Sequence, residues 1–222
     1  MNAENVNYLI SKVKSLNGEV KIVPATKTRS AEEINELLSF GITAMGENRV
    51  QELLSKYEQL KLPEIHFIGA LQTNKVKYIV DKVCMIQSLD RLELAKEIEK
   101  RSAKIGKIMD VLIEVNYGEE ERKSGIKPNE LFTFARELTK FPHLRIKGLM
   151  TVLPINAPDE MYSGMKELFD RLKDIVPTAE YLSMGMSDDY EKAIAYGANM
   201  IRPGTALFGK RNYASQGDKE NE

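Results

Sequence analysis

Between Lys21 and Arg202 the chain alternates short apolar runs with amphipathic stretches, eight times over. The runs occupy 21–25, 42–46, 66–69, 83–87, 109–116, 145–152, 180–185 and 199–202. Each is too short for a helix of ordinary length and ends at a polar or glycine-containing segment, so each reads as a strand. The stretches between them repeat apolar residues at helical spacing. Ser30 and Glu33 form a capping-box pattern ahead of Ile34, Leu37 and Leu38, with Gly41 as the stop. Val50, Leu53, Leu54 and Tyr57 share a face, as do Leu131, Phe134, Ala135 and Leu138 behind Pro128, and Met161, Met165, Leu168, Phe169 and Leu172. A short helix is expected after Thr73, and others over 90–103 and 188–196. An additional amphipathic stretch, Val6, Leu9, Ile10 and Val13, precedes the first run.

Strands alternating with helices imply parallel strands joined by crossovers. Eight such units in about 200 residues predict a single α/β domain, a (β/α)8 TIM barrel with an extra N-terminal helix. An open doubly wound sheet is the alternative, but its glycine-rich turn after the first strand is replaced here by Ala25-Thr26-Lys27-Thr28-Arg29. The barrel is expected over 1–211. The polar segment 212–222 has no apolar face and is expected to be disordered.

The 222 residues carry 32 Lys and Arg against 33 Asp and Glu, a balance that gives no electrostatic drive toward nucleic acid or a membrane surface. The cluster Lys100, Arg101, Lys104 and Lys107 is interleaved with acids and reads as a solvated helix face. The single cysteine, Cys84, lies in an apolar run and is expected to be a buried structural thiol. With no leader-like N-terminus and no run of membrane-spanning length, a cytoplasmic protein is expected. No long exposed apolar stripe is apparent, so a monomer or weak dimer is the expectation.

A barrel builds its site at the C-terminal ends of its strands. Lys27 closes the first strand, where partial desolvation can free its amine to attack a carbonyl carbon. Arg29 is two residues on. Gly204 and Thr205 leave the last strand, and Ser187 precedes a helix in the adjacent loop, the pair of loops that holds phosphate in many barrels. His66 and His143 have no partner at ligand spacing, which argues against a metal centre. His66 is expected as a packed residue and His143 as a surface one.

The chain also resembles the pyridoxal phosphate homeostasis protein family, small relatives of the alanine racemase barrel. The likeness runs over Thr26-Lys27-Thr28, Gly46-Glu47-Asn48, the stretch from His66 to Lys75, Gly148-Leu149-Met150-Thr151, the stretch from Leu182 to Asp189, and Ile201-Arg202-Pro203-Gly204-Thr205. The resemblance implies pyridoxal 5′-phosphate as cofactor, held as a Schiff base on Lys27. It implies phosphate contacts at Ser187, Gly204 and Thr205, Arg202 facing the pyridine nitrogen, and Asn48, His66 and Met150 around the ring. Thr26 replaces a common serine, and Arg49 a common aromatic residue.

An arginine opposite the ring nitrogen keeps it unprotonated and weakens the ring as an electron sink. The resemblance implies that racemases of this fold carry a further C-terminal β domain supplying a tyrosine base, and here the sequence shows only Tyr213 in the polar tail. These features predict little or no turnover, and the resemblance implies intracellular cofactor homeostasis, with cofactor-dependent apoenzymes as recipients. A racemase-like enzyme of amino acids is the alternative, and an aldolase using Lys27 directly is a third reading.

Overall fold

A computed structural model of the chain describes residues 3–118 and 124–209. The expected disordered tail, and Tyr213 in it, lie outside those residues.

Eight strands form one parallel sheet: β1 (Lys21–Ile22), β2 (Ala44–Glu47), β3 (Glu64–Phe67), β4 (Met85–Leu89), β5 (Met109–Glu114), β6 (Leu144–Met150), β7 (Tyr181–Ser183) and β8 (Met200–Ile201). Each strand pairs in parallel with its sequence neighbours from β2 to β8, and β8 pairs with β1. The chain just beyond β1 closes the ring. Ala25 bridges Gly46, the Gly46 N–H donates to the Pro24 carbonyl at 2.8 Å, and the Thr26 N–H donates to the Gly46 carbonyl at 2.9 Å. The expected (β/α)8 barrel is the observed fold.

Around the barrel lie α1 (Ala3–Leu16), α2 (Ala31–Asn35), α3 (Val50–Lys56), α4 (Leu92–Lys104), α5 (Leu131–Leu138), α6 (Asp159–Lys173), α7 (Tyr190–Ala195) and α8 (Thr205–Phe208). Ser30 caps α2 through a reciprocal pair of bonds with Glu33. The helix tightens to a 3-10 segment over Glu36–Phe40 and stops at Gly41 in the left-handed region. The segment after Thr73 is likewise a 3-10 turn, Thr73–Tyr78. The extra helix α1 buries Val6, Leu9 and Val13 and packs against α7 and α8.

Apolar side chains divide into a large layer between strands and helices and a small cluster inside the barrel. The inner cluster is Val23, Ala44, Met85, Leu112, Met150 and Met200. Burial on both faces explains why the strand runs read as continuous rather than alternating. Gly148 is required within β6: its φ is +140°, and a Cβ there would meet the Tyr181 carbonyl oxygen at 1.9 Å. The β5–β6 register shifts beside it, so this glycine lets β6 run close against β7. Cys84 departs from expectation. The strand starts at Met85, so Cys84 sits at the barrel rim as an exposed residue, with its sulfur part-buried against the Ile65 carbonyl. No helix among the described residues is long and apolar enough to cross a membrane.

Candidate cofactor site at the barrel mouth

Lys27 sits in a loop held from several sides. The Ala25 N–H donates to Pro203 O at 3.0 Å, and the Thr26 hydroxyl donates to Gly46 O at 3.1 Å. Lys56, on α3, donates to the carbonyls of Thr26 and Arg29 at 3.1 and 3.2 Å. The Thr28 N–H donates to the Glu52 carboxylate, and Thr28 adopts φ +66°, uncommon for a β-branched residue. Such strain persists where the surroundings over-determine the backbone, and it accompanies functional positions. Lys56 is itself buried and pairs with Glu47 at 2.6 Å and Glu52 at 3.1 Å. Glu47 is fully buried, and its other oxygen accepts from the Asn48 N–H at 2.6 Å and the Arg49 N–H at 3.3 Å. Two buried charges stand together where either alone would be strongly unfavourable.

Lys27 opens onto a cavity of about 220 Å³ whose lining includes Arg29, Ser187, Gly204, Thr205 and Phe208. Four predicted residues, Lys27, Ser187, Gly204 and Thr205, are thus brought together. The Ser187 hydroxyl oxygen accepts two backbone bonds, from the N–H of Gly204 and of Ala206, both at 3.0 Å. Two amides converge on one oxygen, the arrangement that a phosphate oxygen also satisfies. Gly185, at φ +99°, sets the entry to the Ser187 loop; a Cβ there would lie 2.7 Å from the Ala193 side chain. Asp189 fixes the same loop by accepting from the Met186 N–H at 2.6 Å and the Tyr162 hydroxyl at 2.8 Å. Arg29 lies over the Phe208 ring at 5.2 Å, and its guanidinium is anchored on Glu33 at 3.3 Å and the Gly209 carbonyl at 2.9 Å. It adds a positive charge to the cavity wall.

Arg202, at the end of β8, is 2% exposed. It donates to the Ser183 hydroxyl at 2.6 Å and the Thr151 carbonyl at 2.7 Å. Burial lowers its pKa to about 10, with Glu114 and Asp189 opposing, so it remains a cation at neutral pH. From Arg202 a hydrogen-bonded chain runs through the barrel interior. Ser183 donates to Gln87 Oε1 at 2.8 Å, and Gln87 Nε2 donates to His66 Nδ1 at 2.8 Å. His66 is fully buried, as expected for a packed histidine, and burial pushes its pKa down against the pull of Glu64. It does not line the Lys27 cavity but reaches Arg202 through Gln87 and Ser183. Met150 belongs to the inner apolar cluster at the end of β6. Asn48 follows β2, and its Oδ1 is buried without a hydrogen-bond partner among the described residues.

Three participants are not evident in the sequence. Lys56 is spaced like any helix-surface lysine. Gln87 hides in an apolar run. Glu114 ends β5, and one of its carboxylate oxygens is buried without a partner among the described residues. Burial raises the Glu114 pKa to about 7, Asp90 adds to the rise, and Arg202 opposes it. The signal available in advance was position alone: Glu114 is the last residue of a strand that ends at the mouth.

Residues 2–212 match the family model described as alanine racemase, N-terminal domain. The chain is 48% identical over 203 residues to a pyridoxal phosphate homeostasis protein of Aquifex aeolicus, covering 87% of this chain and 88% of that one. Among solved structures it is similar to PipY of Synechococcus elongatus with PLP bound, at a TM-score of 0.82, 28% identity, and coverage of 92% of this chain and all of that one. Alanine racemase of Clostridium difficile superposes at a TM-score of 0.74 with 18% identity, over 95% of this chain and 61% of the racemase, a likeness of fold.

Proposed function

The chain belongs to the alanine racemase N-terminal domain family, among its pyridoxal phosphate homeostasis proteins, and from that premise we propose that it binds pyridoxal 5′-phosphate through an imine on Lys27 and holds it for transfer. The observation that carries this reading is the shared cavity. It sets an amine on a braced loop beside the Ser187 hydroxyl oxygen, on which the Gly204 and Ala206 amides converge as they could on an oxygen of an anion. The cofactor supplies an aldehyde that condenses with primary amines.

The chain's own groups have distinct tasks. Ser187, Gly204 and Thr205 receive the phosphate, with Arg29 contributing charge. Lys56 and Glu52 fix the loop on both sides of Lys27. Arg202 directs its guanidinium, a permanent donor, toward the ring nitrogen. Asn48, His66 and Met150 support the ring's surroundings, His66 by way of Gln87 and Ser183. A donor-only cation opposite the nitrogen disfavours ring protonation and so the carbanion chemistry of turnover. Homeostasis is the function in the names of the curated relatives, and cofactor-dependent apoenzymes are the expected recipients. A monomer or weak dimer in the cytoplasm is the expected working form.

Purified protein should show a visible imine band that borohydride bleaches, with the label on Lys27 after peptide mapping. Lys27→Ala should lose the covalent link entirely. A protein that stays colourless after addition of pyridoxal phosphate, or a label on another lysine, overturns the assignment. The likeness to alanine racemase keeps an enzymatic reading in view. Robust α-proton exchange or racemisation of L-alanine by the loaded protein would replace the carrier role with that one.

A further inference from the structure

We propose that Glu64, His66 and Cys84 form a site for a thiophilic divalent cation of the Zn²⁺ class at the N-terminal end of the barrel, opposite the Lys27 cavity. Contrary to the sequence expectation that His66 lacks partners at ligand spacing, Glu64 and Cys84 stand beside it, and among the described residues this is the one group of three such side chains whose donor atoms all lie within 4.8 Å of one another. His66 Nε2 is 4.0 Å from a Glu64 carboxylate oxygen.

The convergence follows from strand geometry. Glu64 and His66 are two residues apart on β3, so their side chains leave the same face. Cys84 immediately precedes β4, and its N–H donates to the Ile65 carbonyl at 2.8 Å, which sets the thiol beside the gap between the other two. Oxygen, nitrogen and sulfur donors together suit a borderline cation better than calcium or magnesium, which take oxygen alone. Metal–ligand bonds of about 2.0 to 2.3 Å would draw the donors inward by roughly an ångström.

The second observation is the state of His66. Its side chain is 1% exposed, its Nδ1 is held by Gln87 at 2.8 Å, and its Nε2 faces Glu64 beyond hydrogen-bond distance. As placed, the Gln87 amide donates to Nδ1 and leaves the ring proton on Nε2; a metal-bound histidine instead donates its outer N–H to an acceptor, which Gln87 offers once its carboxamide is turned over. Cys84 is an exposed residue at the rim, but its sulfur is part-buried and burial pushes the thiol pKa up to about 11, a cost that metal coordination has to overcome.

Lys21 is the resident cation, its ammonium paired with Glu64. It also lies 5.9 Å from the Tyr181 ring, a second seat to which it can turn. Binding the metal breaks the Lys21–Glu64 pair and the 3.3 Å bond from the thiol to the Ile65 carbonyl. The Cys84 proton leaves to solvent. The His66 proton moves to Nδ1, where the Gln87 carboxamide, turned over, accepts it through its oxygen, and the Gln87 Nε2 then donates to the Ser183 hydroxyl oxygen in place of the bond that Oε1 had accepted from it. Thiolate, carboxylate and divalent cation then sum to zero charge, and water takes the fourth position.

Titration of the full-length protein with Co²⁺ tests the site independently of cofactor binding. The expected result is a set of tetrahedral d–d bands, to the red of any imine band, together with a thiolate-to-cobalt charge-transfer band. Cys84→Ser changes an exposed rim residue and should keep the fold, checked by circular dichroism, while the charge-transfer band disappears. Glu64→Gln should weaken binding by roughly tenfold or more. Lys21→Met should tighten it several-fold by removing the competing cation. Absence of the thiolate band in the unmodified protein, or its survival in Cys84→Ser, overturns the site. The Lys27 imine forms or fails in either case, so the two readings stand or fall separately.

Discussion

The two ends of this barrel handle charge in opposite ways. At the N-terminal base the charges are paired near solvent: Lys21 with Glu64, Arg145 with Asp110, and Lys147 with Glu180. At the mouth they are buried and under-paired. Arg202 has no carboxylate partner within bonding distance among the described residues, Glu114 holds an orphan oxygen, and the Lys56–Glu47 pair is sealed beneath the Lys27 loop. Charges near water are cheap to keep and contribute little. Buried charges cost several kcal/mol unless geometry is tightly arranged. The mouth therefore sacrifices stability to hold a specific electrostatic arrangement, as expected at the functional face of such a barrel.

The largest effect should come from Lys56. Lys56→Met leaves Glu47 charged in a dry site and releases the carbonyls of Thr26 and Arg29, so it should destabilise the fold by about 3 to 5 kcal/mol in chemical denaturation. Loosening the Lys27 loop should also slow imine formation with added pyridoxal phosphate. A loss below about 1 kcal/mol would show that the mouth is built no differently from the base.

Glu114 sharpens the contrast through pH. Its pKa of about 7 in the folded state exceeds the ordinary carboxylate value of 4.5, chiefly because it is buried. Between those values the native state keeps a proton that the unfolded chain has released. Stability is therefore lost as pH rises through this window and levels off above about 7. Glu114→Gln removes the titration. It should stabilise the protein at pH values above 7 by at most about 3 kcal/mol and change little near pH 4. Denaturation midpoints of both forms across that range measure the difference, and parallel pH profiles would contradict it.

Much of this could be read from the chain beforehand, for reasons the same contrast makes plain. Eight apolar runs in alternation with helical spacing fix a parallel barrel because strands buried on both faces tolerate little else. Lys27, Ser187, Gly204 and Thr205 were legible because they stand at strand ends in a topology that places its chemistry there. Lys56 was not, since a lysine four residues after Glu52 suits an exposed helix equally well. Gln87 was hidden because an inward-facing polar residue leaves no periodic trace in an otherwise apolar run. Cys84 departs from expectation for a related reason: the run begins two residues before the strand does, which leaves Val83 in the core and Cys84 at the rim. His66 was foreseen as packed, but its reach to Arg202 depends on a contact across the barrel that no local pattern encodes.

Ser187 lies between the extremes. Ser187→Ala leaves the Gly204 and Ala206 amides without their shared acceptor, which should cost the free protein about 1 to 2 kcal/mol. The imine on Lys27 should still form, with weaker retention of the cofactor on dialysis. Unchanged stability would mean that the two amides find water as readily as the hydroxyl.

The smallest effect belongs to the base. Arg145 bonds Asp110 through Nε at 2.5 Å and Nη2 at 2.9 Å, and Asp110 is the main reason its pKa is raised. The geometry is bidentate, which favours a strong pair, but half of the arginine side chain is in solvent. Solvent screening should dominate, so Arg145→Gln is expected to cost less than about 1 kcal/mol and to cost still less in high salt. The same chemical denaturation as for Lys56→Met, with urea as the uncharged denaturant and at low and high ionic strength, measures it. A salt-insensitive loss as large as that of Lys56 would mean that this pair is sealed like the mouth's, and the distinction between the two ends would fail.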